Sequence, residues 1–167
     1  MVAITRIGTS QNLETGGTYD LLIMGFPNGF PRGYVSFEIG DTPRRVTGVQ
    51  KVVQTFIFTL LSGVGSDPIK TLRGTGMSYY VKGANIGGDY EEMVGMVREA
   101  IQDAESQTKA ILNTSEGDTA SQLAKVDILF CEAQDTELNV GLRFTTLEGQ
   151  TAAIAIPFPQ TDLEING

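Results

Sequence analysis

The stretch Pro43–Gly76, PRRVTGVQKVVQTFIFTLLSGVGSDPIKTLRGTG, constrains this chain more than any other. Val49, Val52, Val53, Phe56, Ile57, Leu60 and Leu61 recur at helical spacing, which predicts a helix with one apolar stripe turned inward. Pro43 suits the first helical position behind Asp41 or Thr42 as cap, and Gly63 suits the left-handed residue that closes a helix. No histidine, cysteine or acidic residue lies within the predicted helix. A helix of this kind is made to be packed against something, so the question of function turns first to partners.

Composition narrows the classes further. A chain of 167 residues can bury one domain with a short appended arm, and 41% hydrophobic with 19% charged residues suits a globular fold. The net charge of −8 and a pI near 4.5 argue against nucleic acid and anionic membrane as partners, because phosphate binding needs clustered Lys and Arg. No apolar run reaches the roughly 20 residues of a membrane span, and charges interrupt the N-terminus too early for a signal peptide. Synthesis in the cytoplasm is the expectation. Cys131 is the single cysteine and lies in an apolar run, so it reads as a buried, reduced thiol.

The chain has no histidine. That removes His-based triads, histidine general bases and histidine metal sites, and no cofactor or metal is expected. A pair of carboxylates, as in glycosidases, is the enzymatic route left open. Its candidates are Glu91, Glu92, Glu99, Asp103 and Glu105, which read more simply as capping or solvated helix-face residues.

Residues 1–41 are rich in glycine and aromatics. Tyr19–Met24 and Tyr34–Ile39 predict short strands, separated by a turn that contains Pro27 and Pro31. Two readings stand: a β-hairpin covering one end of the core, or an arm whose Phe26, Phe30 and Tyr34 dock on a neighbouring subunit. Residues 63–88 form a long connection, of the kind that is usually functional or interface-forming. Its Gly63-Val64-Gly65 is not a phosphate loop, because it follows a helix and lacks the third glycine. A second helix is predicted over Tyr90–Leu112, with Asp89 and Glu92 as a capping box and Met93, Val97, Ala100 or Ile101, Ala104 and Ile111 as its stripe. Asn113 opens a glycosylation sequon, without meaning in the absence of secretion.

The last third predicts three strands, Ala124–Ala133, Leu138–Leu147 and Thr151–Ile156, joined by hairpin-length turns. Leu138, Val140, Leu142 and Phe144 alternate with Asn139, Gly141, Arg143 and Thr145, which means one buried and one wet face. Pro157 and Pro159 are expected to stop the last strand and release a polar tail at 158–167. The predicted fold is α+β: two main helices packed on a three-stranded antiparallel meander, with an N-terminal β-hairpin or arm over 1–41 and the main domain at 42–157.

The order and wording of several segments resemble a known family. The GVQK start of the first helix, the Gly65–Pro68 turn GSDP, the Arg73–Gly76 segment RGTG, the long helix, Leu123 and the Glu148–Gln150 hairpin are similar to the phage baseplate wedge proteins of the tail-lysozyme-like, protein W type. The resemblance spans about residues 42–157. It implies a structural component of a contractile phage tail, with six copies around the hub, found in the virion and made in the host cytoplasm. Its partners would be wedge scaffold proteins, bound through a helix, and the tail sheath, initiated by strand pairing, beside the baseplate hub proteins. The family's Glu-Pro-Arg triplet falls on Glu105-Ser106-Gln107, so Glu105 and Gln107 are the expected helix contacts, with Gln107 hydrogen-bonding where the family has arginine. Thr151, Ile154 and Ile156 represent the strand expected to pair with the sheath. Two other roles compete with this one. A regulatory module of the anti-adaptor type shares the fold by resemblance, and a carboxylate glycosidase follows from the lysozyme label of the family.

Overall fold

The structure is a computed structural model, and it describes residues 20–21, 24–25, 36–37, 45–66, 73–77, 90–114, 118–134 and 137–159. The elements are β1 (Asp20–Leu21), β2 (Met24–Gly25), β3 (Ser36–Phe37), β4 (Arg45–Val46), α1 (Gly48–Leu61), α2 (Tyr90–Leu112), a 3-10 turn (Thr119–Ser121), β5 (Leu123–Gln134), β6 (Glu137–Thr146) and β7 (Thr151–Pro159). The fold is α+β, with two helices against a three-stranded antiparallel meander in the order β5-β6-β7. The N-terminal strands form two short antiparallel ladders, β1 with β4 around β2 with β3. Phe26, Phe30 and Tyr34 lie outside the described residues, as do Asp41, Pro43 and Asp89.

α1 begins later than its sequence suggests. Arg45 and Val46 are extended and pair with β1, and the helix starts at Gly48 behind Thr47, whose side chain makes no capping bond. Its first turn is closed from a distance: the Gly48 N–H donates to Ser121 Oγ at 2.9 Å. Gly48 sits at φ +59°, where glycine is favoured and where an added Cβ would lie 3.3 Å from Gln150 Oε1. Nor does Gly63 close the helix in the left-handed region. Ser62 is extended at the C-terminus, and the positive-φ glycines of this part of the chain are Gly65 and Gly74. α1 is also buried more widely than one stripe, since every residue from Val52 to Ile57 is buried. The sheet, α2 and the 3-10 turn surround it.

α2 spans the predicted range, with Val97, Ala100, Ile101, Ala104, Thr108 and Leu112 buried toward the core. In the sheet, Leu138, Val140, Leu142 and Phe144 of β6 are buried, and the Phe144 ring meets Phe56 of α1 edge-on at 5.0 Å. Three of these stand opposite buried residues of β7, Leu138 with Phe158, Val140 with Ile156 and Leu142 with Ile154, and Phe144 stands opposite the half-buried Ala152.

β7 does not stop at Pro157. Pairing runs through Asn139–Pro157 and Glu137–Pro159, and Phe158 is buried. The prolines are tolerated because of where their missing N–H groups fall. Thr146 N–H donates to the Gln150 carbonyl, so the directly hydrogen-bonded pairs of this register are those of Ala152, Ile154, Ile156 and Phe158. Pro157 and Pro159 occupy the alternate positions, which point away from β6.

β5 carries register shifts between Leu123 and Lys125 and between Ile128 and Phe130. The second shift inserts Leu129 as an extra residue and reverses the alternation beyond it. Ile128 therefore stands opposite Leu142 on the helix side, whereas Phe130 stands opposite Gly141 on the other face. The Phe130 ring lies over that glycine, where a Cβ would come within 2.3 Å of it.

Candidate functional site

Three places combine residues singled out in the sequence with accessible surface or unusual polar geometry. The first is the outer edge of β7. Among the described residues, β7 pairs only with β6. Ile154 and Ile156 turn their side chains into the core and their main-chain groups toward β6. The main-chain groups of Thr151, Ala153 and Ala155 face the open edge, with Thr151 exposed and the two alanines half-buried. Ala153 and Ala155 were not singled out from sequence. The alternation that puts isoleucines inward was the signal that could have found them.

The second place is the C-terminal half of α2. Glu105 is half-buried and ion-paired with Lys109 one turn on, at 2.7 Å. Gln107 is committed within the fold. Its Nε2 donates to the Gly74 carbonyl at 2.8 Å, and its Oε1 accepts from the Gly74 N–H at 2.9 Å. The side-chain amide thus imitates one rung of a sheet and fastens the RGTG segment to the helix. That segment in turn caps α1: Thr75 Oγ1 donates to the Leu60 carbonyl at 2.7 Å, and the Thr75 N–H donates to the Ser62 carbonyl at 2.9 Å. With no basic residue in its last turn, α1 relies on these donors for its terminal carbonyls. Asn113 repeats the device at the end of α2. Its amide donates to the Leu123 carbonyl and accepts from the Leu123 N–H, each at 3.0 Å. The residue that carries the sequon is thus the clasp between α2 and the sheet.

The third place is a cleft of about 510 Å³ between α2 and β5. Arg98, Ile101, Gln102 and Glu105 line it from the helix, and Val126 to Cys131 line it from the strand. Cys131 is half-buried here; burial raises the thiol pKa above its ordinary range, and the Arg98 charge offsets part of that rise. The expected buried thiol is therefore only partly covered.

The five helix carboxylates do not gather into a sugar site. Glu91, Glu92, Glu99 and Asp103 are exposed on α2, and Glu105 is engaged by Lys109. Among the described residues, no group of three or more acidic or cysteine side chains is placed to hold a metal, and no helix is long and apolar enough to cross a membrane. No known family model matches the chain, and neither any curated protein nor any solved structure does.

Proposed function

We propose that this chain is a structural, non-catalytic component of the baseplate wedge of a contractile phage tail, and that it starts the sheath by accepting a strand on β7. The observation that carries the reading is the one-sided pairing of β7 among the described residues, which leaves the main-chain groups of Thr151, Ala153 and Ala155 without a described partner strand next to a well-packed core. A strand laid along this edge gains main-chain hydrogen bonds without rearrangement of the domain. The order of segments between residues 42 and 157 supports the family resemblance, and the meander with two helices is the architecture expected of it. In this reading α2 offers the side that carries Glu105 to the wedge scaffold proteins. Glu105 is the more available contact, because Gln107 is spent on Gly74. Six copies would surround the hub of a virion assembled in the host cytoplasm.

Cryo-electron microscopy of intact tail particles tests this directly. Six copies around the tail tube, each with β7 joined to a strand of the first sheath ring, is the expected result. A particle whose baseplate lacks the chain would overturn the reading.

A further inference from the structure

The cleft between α2 and β5 has an unbalanced set of polar groups. Its two carboxylates are taken, Glu105 by Lys109 at 2.7 Å and Asp127 by Lys125 at 2.8 Å. Its cation is not. Among the described residues, the side chains of the exposed Arg98 and Gln102 make no ion pair or hydrogen bond, and the Arg98 charge is felt at the Cys131 thiol. They stand one turn apart on α2, so both side chains lie over the same part of the cleft. On the strand opposite them, the half-buried Val126 and Ile128 supply the aliphatic surface of the cleft. In a chain of net charge −8, an unmatched guanidinium beside aliphatic surface is a site that selects for negative charge.

We infer that this cleft receives a segment of a partner protein that carries a carboxylate next to an aliphatic side chain. The carboxylate accepts hydrogen bonds from the Arg98 guanidinium and the Gln102 amide, and the aliphatic group covers Val126 and Ile128. The inference rests on the baseplate reading, in which the partner is a wedge scaffold protein, and it extends the helix contact at Glu105 into the cleft that Glu105 also lines. The bulge at Leu129 makes a long continuous strand pairing on β5 unfavourable, so side-chain chemistry supplies the recognition here.

Cys131 lines the cleft and is the chain's single cysteine, which makes it a built-in reporter. The experiment compares N-ethylmaleimide labelling of Cys131 in the purified protein with labelling in intact tail particles, read by mass spectrometry. Protection in the particle by about tenfold or more is expected, together with a comparable loss of incorporation for Arg98→Glu, whose free form melts as the wild type does. A chain that is present in the particle with Cys131 as reactive as in solution overturns this assignment alone, as does normal incorporation of Arg98→Glu. A chain absent from the particle overturns the baseplate reading and this assignment with it. Protection already present in the free protein, with a small carboxylic acid retained in native mass spectra, would replace the protein segment by a small-molecule ligand.

Discussion

At Gly74 a single added carbon would be costly. The residue sits at φ +114°, and a Cβ there would lie 2.5 Å from the Ser62 carbonyl oxygen and 2.8 Å from the Gly63 carbonyl. Gly74→Ala is expected to lose about 2 kcal/mol or more, a fall in melting temperature of at least ~4 °C by calorimetry. Gly65→Ala is the control: its φ is +83° but nothing lies within 4 Å, so backbone strain alone remains, about 1 kcal/mol. Gln107 should behave as a two-bond clamp, with Gln107→Ala losing about 1–3 kcal/mol in denaturant unfolding. Gln107→Glu keeps an acceptor for the Gly74 N–H but sets its other oxygen against the Gly74 carbonyl. That contact favours the protonated acid in the folded state, so the variant's stability is present at low pH and lost as pH rises through its folded pKa. Thr108 is the opposite case. Among the described residues its fully buried hydroxyl has no hydrogen-bond partner, so Thr108→Val, nearly identical in shape, is expected to stabilise by about 1 kcal/mol.

Between elements, the informative contacts join residues far apart in sequence. Ser121→Ala removes the acceptor for the Gly48 N–H and should cost about 1 kcal/mol, the usual loss for a helix cap, although the cap lies 73 positions from the residue it serves. On β7, Ala155→Pro deletes an N–H that faces the open edge and not one that bonds β6. The monomer should melt within ~2 °C of wild type while incorporation into tail particles falls sharply, whereas Ile154→Pro should unfold the domain. The same distinction between near and far explains what was legible beforehand. The strands of the meander and the whole of α2 were readable because their periods of 2 and 3.6 persist over many residues. The start of α1 was misplaced because Pro43 is a strong local signal, whereas Arg45–Val46 pairs with β1 across a long gap that no local pattern encodes. The prolines of β7 read as a stop because their sequence does not say which side of the strand is empty. For the candidate site, the sheet edge and Glu105 could be singled out, but the engagement of Gln107 with a glycine 33 residues away could not.

For the molecule as a whole, alkaline pH should weaken the fold through Cys131. Its thiol pKa is raised in the folded state, so the native protein holds this proton more tightly than the unfolded chain does. The corresponding stability is present below the unfolded thiol pKa and disappears as pH rises through the folded value. Cys131→Ala should therefore show a flatter decline in urea midpoint across that window than the wild type, measured side by side. The layout of the sheet edges bears on growth rather than on stability. On β7 the open stretch that still carries donors ends before Pro157, and β5, at the other side of the sheet, is broken by two bulges. In the language of polymer chemistry, the described strands of the meander carry one short reactive end, on β7, and one interrupted end, on β5. Under the role proposed above, that is the valence of an initiator, which can start a chain without becoming one.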